Sequence, residues 1–181
     1  MRLKLYYLFI AFIGLAAITG CDDDDAPDVF PSDTPSWLPT QIAGDFQSRC
    51  PHATAQNTRW TNDSIGGWYR AEYEWNRTET DVWYKASDNT WAMTEEDYGK
   101  NLFMISAPVN TAFNQSVYAT WEIDDITYLT YPDSSRDVYC IEVEKAGEQP
   151  MDVYFKESGH TASLYKAVAH SEADPTPDTQ I

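Results

Sequence analysis

Two stretches of the chain alternate between large apolar and polar residues, as half-buried β-strands do. They are residues 68–75 (WYRAEYEW) and 138–144 (VYCIEVE). Each is followed by a polar turn and then by a second short strand-like run, at 81–85 (DVWYK) in one case and at 152–156 (DVYFK) in the other. The pattern predicts two antiparallel hairpins.

The two hairpins belong to a longer internal repeat. A proline-led segment opens each copy, at Leu38-Pro39 in the first and at Ala107-Pro108 in the second. The offset between the copies drifts from 69 (39 to 108) through 70 (68 to 138) to 71 (81 to 152), as small loop insertions in a duplicated unit would produce. Each copy is too short to bury a large core alone, so we expect the two to share one core or one continuous sheet.

Each copy begins with an amphipathic segment that is predicted to be a helix. Pro39 and Pro108 occupy the favoured first-turn position. The apolar residues that follow at helical spacing are Ile42, Ala43 and Phe46 in the first copy and Val109, Ala112 and Phe113 in the second. A strand is predicted after each helix, at 54–60 in the first copy and at 123–131 in the second.

Alternation along the predicted hairpins assigns side chains to the two faces of a sheet. The set expected to face the helices comprises Tyr69, Ala71, Tyr73, Trp75, Val82, Tyr84, Tyr139, Ile141, Val143, Val153 and Phe155. The opposite set, which we call the open face, includes Arg70, Glu72, Trp83, Lys85, Cys140, Glu142, Tyr154 and Lys156. Trp83 and Tyr154 are candidate binding anchors, because exposed aromatic residues commonly anchor partners. Alternatively, Trp83 packs against Arg70 or Lys85 as a cation–π pair, or lies under the 92–106 connection.

These elements together resemble a known family. The proline-led helices, the strands 121–129 (WEIDDITYL) and 138–144, and the hairpin at 152–159 (DVYFKESG) are similar to the PepSY-like family related to β-lactamase inhibitory protein. Members are secreted and lipid-anchored bacterial proteins. The resemblance covers about residues 37–166. It implies an α+β fold of two tandem repeats, each a helix packed on a three- to four-stranded antiparallel sheet, with a concave open face that binds without catalysis.

The chain departs from the inhibitor itself at two points. Its cysteines do not pair within each repeat, and none of the inhibitor's β-lactamase contacts can be matched. Inhibition of a β-lactamase is therefore not carried over. Cys50 and Cys140 are expected on opposite faces of the sheet, which argues against a disulfide between them.

The N-terminus resembles a bacterial export signal, with Arg2 and Lys4 before an apolar run at 5–18. The run leads into Ile18-Thr19-Gly20-Cys21, which resembles a lipobox, so the mature protein is predicted to begin at a lipidated Cys21. The acidic run at 22–25 looks like the signal that sends some Gram-negative lipoproteins to the outer membrane and on to the cell surface. We expect a surface-exposed outer-membrane lipoprotein, with the periplasmic face as the alternative.

The chain therefore divides into five predicted parts. They are a signal peptide (1–20), an acidic and proline-rich tether (21–36), repeat one (37–106), repeat two (107–170) and a tail (171–181). The tether and the tail have no hydrophobic pattern, which predicts that they are unstructured.

Charge and missing motifs exclude several function classes. The sequence has 12 basic and 29 acidic residues, a formal charge of −17, and so repels nucleic acid and anionic bilayers. The three histidines, His52, His160 and His170, have no metal-ligand spacing, and no GxSxG, GxxxxGK or GxGxxG motif occurs. The Glu-x-Glu pairs of the open face are explained more simply as solvated charge than as a cation site. No enzymatic activity, cofactor or metal is expected.

These observations predict a non-enzymatic cell-envelope lipoprotein. Its open face is expected to bind an envelope or secreted protein or peptide, with an inhibitory or regulatory effect. Contact with a membrane is expected only through the lipid, and no contact with nucleic acid is expected. The alternative is a surface receptor for a glycan or small molecule, in which Trp83 and Tyr154 stack on sugar rings. An enzyme that uses paired carboxylates is the least favoured hypothesis.

Overall fold

The structure is a computed structural model that describes residues 34–63, 66–171 and 177. The predicted signal peptide, Cys21, the acidic run, and most of the tether and of the tail lie outside the described residues. Within the described part of the chain, none of the helices has the length and apolar character needed to cross a membrane.

The described residues form two α-helices, eight strands and two short 3-10 helices. The first half consists of α1 (Thr40–Arg49), β1 (Thr58–Asp63), β2 (Trp68–Trp75), β3 (Thr78–Lys85) and β4 (Trp91–Asp97). The second half consists of α2 (Ala107–Asn114), β5 (Glu122–Thr130), β6 (Val138–Glu144), β7 (Met151–Ser158) and β8 (Thr161–Ala169). The 3-10 helices are Leu102–Met104 and Ser134–Arg136.

All eight strands form one antiparallel sheet, in which each strand pairs with its neighbours in sequence. The two halves join where 94–97 of β4 pair with 127–130 of β5. The α+β class and the antiparallel pairing are thus confirmed. The sheet is also continuous, which is one of the two arrangements that the sequence predicts.

The helix α1 covers one face of the first half of the sheet. Its Ile42, Ala43 and Phe46 are buried, as their spacing predicts. They pack in one cluster with Ala71, Val82 and Tyr84 of the sheet. The hydroxyl group of Tyr84 donates a hydrogen bond of 2.9 Å to the carboxylate of Asp45 on α1, so this buried side chain keeps a polar partner.

The helix α2 covers the same face of the second half. It begins after Ser106, whose hydroxyl oxygen accepts a hydrogen bond from the backbone N–H of Val109 at 3.3 Å. Val109 and Phe113 are buried. The ring of Phe113 meets that of Phe155 edge to face, with centroids 6.1 Å apart. The face assignment made from the alternation is therefore confirmed for both helices.

Three sequence predictions need correction. The strand predicted at 54–60 begins only at Thr58, because the side chain of Asn57 accepts the backbone N–H of Thr54 and holds a turn there. The 92–106 segment is predicted as a connection, yet it contains most of β4. Trp75 is predicted in the core but is 44% exposed, since it lies at the end of β2 and stacks on His52 at 4.3 Å.

Cys50 and Cys140 are free thiols and belong to clusters on opposite faces of the sheet. Burial raises the pKa of both thiols. Because the thiolate is the reactive form, a Cys21→Ser chain should react slowly with Ellman's reagent when native and completely when unfolded in guanidinium chloride. Fast modification of either thiol in the native chain would contradict the burial seen here.

Candidate functional site

Neither described α-helix packs on the open face of the sheet, and the buried residues of this face come from strands or strand ends. Arg136 of the second 3-10 helix lies 4.5 Å from the centroid of the Tyr131 ring on this face. The buried residues form a cluster, which we call the aromatic band, and its members are Trp68, Trp83, Ala92, Met93, Leu129, Tyr131, Val138 and Tyr154, with Cys140 packed against them. This band crosses the sheet from β2 to β7. The predicted open-face position of Cys140 is thus confirmed.

The candidate anchors Trp83 and Tyr154 lie in this band and are only 6% and 4% exposed. The prediction that they are exposed is therefore wrong. Trp68 meets the Trp83 ring edge to face at 6.5 Å, and the guanidinium carbon of Arg70 lies 5.3 Å from the centroid of the same ring. The ammonium group of Lys166 lies 4.4 Å from the Tyr154 ring. The alternative of a cation–π pair between Arg70 and Trp83 is the one that the structure shows.

Carboxylates lie beside the aromatic band and form a second line across the sheet. We call this line the acidic row, and its members are Glu72, Asp81, Glu95, Asp125, Glu142 and Asp152. Cross-strand pairing places Glu72 opposite Asp81 and Asp81 opposite Glu95. In the other half it places Asp125 opposite Glu142 and Glu142 opposite Asp152. At the join of the halves Glu95 pairs with Leu129, so the row consists of two parts, with three carboxylic acids in each half of the sheet.

Arginine side chains neutralise the first end of the acidic row. Arg70 lies 2.7 Å from Glu72 and 3.0 Å from Asp81, and Arg59 lies 2.6 Å from Glu72. Burial alone would raise the pKa of Glu72, but the hydrogen bonds from Arg70 and Arg59 outweigh it and lower that pKa. Glu72 is therefore held as a carboxylate.

The middle of the row has the opposite electrostatics. Burial, followed by the nearby Asp81 carboxylate, raises the pKa of Glu95 to about 8. Arg70 opposes this increase, whereas Asp97 and Asp125 add to it. Glu95 therefore carries a proton near neutral pH. The sequence does not indicate this role for Glu95, because β4 is not predicted as a strand and its residues are therefore not assigned to a face of the sheet.

A histidine lies at the second end of the row. His170 follows β8, and its backbone N–H donates to the carbonyl oxygen of Pro150 at 2.9 Å. Its Nδ1 lies 2.8 Å from the Asp152 carboxylate and its Nε2 lies 3.4 Å from the Glu142 carboxylate. The sequence predicts that His170 lies near the tail with no role. His170 reaches these carboxylates because β8 pairs with β7 along its length and ends at Ala169, directly before the histidine.

The predicted site residues thus fall into three groups: those at the acidic row, those in the aromatic band, and two lysines that belong to neither. Arg70, Glu72 and Glu142 belong to or contact the acidic row, whereas Trp83 and Tyr154 form part of the aromatic band. Lys85 and Lys156 follow two residues after these aromatics, on the side of the band away from the row. Lys85 is exposed, and the ammonium group of Lys156 lies 4.1 Å from the ring of Tyr165.

Comparison with solved structures places this fold among proteins of Bacteroides. A BLIP-like protein from Bacteroides fragilis superposes with a TM-score of 0.63 at 27% identity, over 78% of this chain and 94% of that chain. A DUF2874 family protein from Bacteroides ovatus gives 0.61 at 23% identity, over 76% of this chain and 89% of that one. Another from Bacteroides uniformis gives 0.61 at 22%, over 74% and 90%.

A scan against family models gives no match, and a search of the curated proteins gives none either. The PepSY-like part of the predicted resemblance therefore stays a prediction. The structural likeness supports its other part, since the chain has a fold like that of the BLIP-like protein.

Proposed function

We propose that this chain is a non-enzymatic binding module whose open face engages a protein or peptide partner. The observation that carries the proposal is the acidic row on a sheet face that neither described α-helix covers. The likeness to a BLIP-like protein supports a binding role rather than catalysis. Inhibition of a β-lactamase does not form part of the proposal.

The charge of the chain indicates the polarity of the partner. The formal charge is −17, and the six carboxylic acids of the acidic row lie on one face, where Arg59 and Arg70 contact its first end. Complementary charge steers association and suppresses wrong partners. We therefore propose a partner with a basic surface over the acidic row.

The burial of the aromatic band changes which residues make the contact. Trp83 and Tyr154 cannot insert into a partner from positions this buried, and sugar stacking on their rings is disfavoured for the same reason. Glu74 and Glu79 are better probes, because both are exposed and lie opposite each other on β2 and β3. Their alternation with Ala71 and Val82 places them on the open face.

The test is capture of partners from a cell-envelope extract with the full chain as bait, followed by their identification. A chain with Glu74→Lys and Glu79→Lys should lose the partner, because both substitutions place positive charge beside a basic surface. We expect affinity to fall at least about tenfold, since opposed like charges cost several kcal/mol.

The matched control carries Glu148→Lys and Glu157→Lys, which make the same change in net charge. Glu148 lies in the turn before β7, and Glu157 is exposed on the helix-covered side of β7. This control should retain the partner. Retention by the Glu74/Glu79 chain and loss by the control would place the contact elsewhere and overturn the proposal.

The cellular location and the origin of the fold are also proposals. We infer that the chain acts at the cell envelope, held by a lipid on Cys21, with outer-membrane exposure favoured over the periplasmic face. We also infer that the two halves arose by duplication. Both consist of one helix and four strands, and the Glu72–Asp81 pair of one half corresponds to the Glu142–Asp152 pair of the other.

A further inference from the structure

We propose that Glu142 and His170 bind a divalent transition-metal ion, with Asp152 as the positioning residue that orients the imidazole. The nitrogen and carboxylate donors suit Zn²⁺, which we take as the probe. This inference stands apart from the proposed partner, because metal binding can be measured on the isolated chain.

Three neighbouring strands build this site. Glu142 lies on β6 directly opposite Asp152 on β7, and His170 comes directly after β8. One donor atom from each residue lies within 4.8 Å of the others. Donors that are fixed on paired strands are held more precisely than donors on a loop.

The hydrogen bonding of the imidazole points to a missing cation. Nδ1 lies 2.8 Å from the Asp152 carboxylate, which only accepts hydrogen bonds when ionised, so Nδ1 carries the proton. In the neutral ring Nε2 then presents a lone pair. The His170 side chain is only 10% exposed, and its Nε2 is buried without a hydrogen-bond partner among the described residues.

A second carboxylate, which only accepts hydrogen bonds when it is ionised, lies close to this lone pair. The Glu142 carboxylate oxygen lies 3.4 Å from Nε2, so two acceptors face each other across a short gap. A cation between them removes the repulsion. Metal bonds of about 2.0–2.2 Å at a tetrahedral angle separate two ligand atoms by about 3.3–3.5 Å, which matches this gap.

The role of Asp152 follows the usual chemistry of metal-bound histidine. A histidine ligand typically donates its other ring N–H to a carboxylate, which fixes the tautomer and strengthens the donor nitrogen. Asp152 makes this contact with Nδ1. Two protein donors leave the other positions of a four-coordinate Zn²⁺ to water.

The first half of the sheet supplies an internal comparison. Glu72 and Asp81 form the same cross-strand pair there, but their partners are Arg70 and Arg59. A guanidinium group cannot be deprotonated in a protein and has no lone pair to offer. The carboxylate pair of the first half therefore lies beside groups that cannot ligate a metal, whereas the pair of the second half lies beside an imidazole, which can.

The experiment is titration of the untagged, metal-free full chain with ZnCl₂ against a competing chromophoric chelator at about pH 7.5. We expect one specific Zn²⁺ site per chain. The His170→Ala and Glu142→Gln chains should bind at least about tenfold more weakly, and Asp152→Asn about 10- to 100-fold more weakly. Zinc should also shift the ¹⁵N resonance of His170 Nε2, a signal that diffuse surface binding does not produce.

Glu72→Gln is the matched control, because it removes the same charge from the other end of the acidic row. Its zinc affinity should equal that of the unchanged chain, and circular dichroism should show that all four variants are folded. Equal weakening by Glu72→Gln and Glu142→Gln would show diffuse binding to an acidic surface. No binding at about 100 µM zinc would show that a proton, not a metal, bridges Nε2 and Glu142. Either result overturns the proposal.

Discussion

A chain with Glu95→Gln should be more stable than the unchanged chain at pH 8 and about equally stable at pH 5. The pKa of Glu95 rises from an ordinary 4.5 to about 8 in the folded chain, because the side chain is buried beside Asp81. Between these values the folded state holds a proton that the unfolded state releases. The free energy of unfolding therefore falls with rising pH, by about 1.4 kcal/mol per pH unit for this one group.

The sign follows from proton counting. Below pH 4.5 both states are protonated at Glu95, so the group costs nothing there. Above the folded-state pKa both states are ionised, and the folded state bears the full cost of a buried carboxylate, roughly 3 to 5 kcal/mol. Glutamine has the shape of the protonated acid and does not ionise, so it avoids this cost.

The measurement is urea unfolding of both chains at half-unit steps across this pH range, followed by circular dichroism. The difference between the two free energies removes the contributions of the other titrating groups. Glu148→Gln serves as the control, since Glu148 is exposed in a turn, and its difference curve should be flat. A flat curve for Glu95→Gln as well would show that Glu95 is ionised in the fold at neutral pH.

The second large effect is expected at Trp83. Trp83→Ala should lower the free energy of unfolding by about 3–5 kcal/mol, the usual cost of removing a buried large aromatic side chain. Trp83 is 6% exposed, and its ring contacts Trp68 and Arg70 in the aromatic band. Its truncation leaves a cavity at the join of β3 and β4.

Trp75→Ala is the matched comparison, because it removes the same side chain from an exposed position at the end of β2. It should cost no more than about 1 kcal/mol, from loss of the stacking on His52. Equal unfolding midpoints for Trp83→Ala and the unchanged chain would contradict the packing of the aromatic band. Trp83→Ala could lose binding either through loss of a direct contact or through destabilisation of the fold. The exposed Glu74 and Glu79 are therefore the residues to substitute in the partner experiment.

Alternation along β2, β3, β6 and β7 made much of the fold predictable. It placed Ala71 and Val153 under the helices and Arg70 and Cys140 on the other side, because the two-residue period of a strand fixes the face. Both helix starts were predictable from Pro39 and Pro108. The burial of Trp83 and Tyr154 was not predictable, because alternation shows which face of the sheet a side chain lies on but not which neighbours cover it.

The candidate site was harder to predict than the fold. Glu95 lies on a strand whose sequence, WAMTEED, has no clear alternation. Its raised pKa depends on Asp81 and Asp125, which reach it only through the pairing of β3, β4 and β5. His170 meets Glu142 and Asp152 across 18 or more residues of chain, and nothing in their spacing indicates this contact.

The strand order also has a consequence for how the chain folds. Because each strand pairs with its sequence neighbour, most strand contacts require only short loops to close, and such local topologies fold faster than sheets built from distant segments. The pairing of β4 with β5 differs, since α2 and its flanking turns lie between them. We expect each four-stranded half to form early and the β4–β5 seam to close last, in the rate-limiting step.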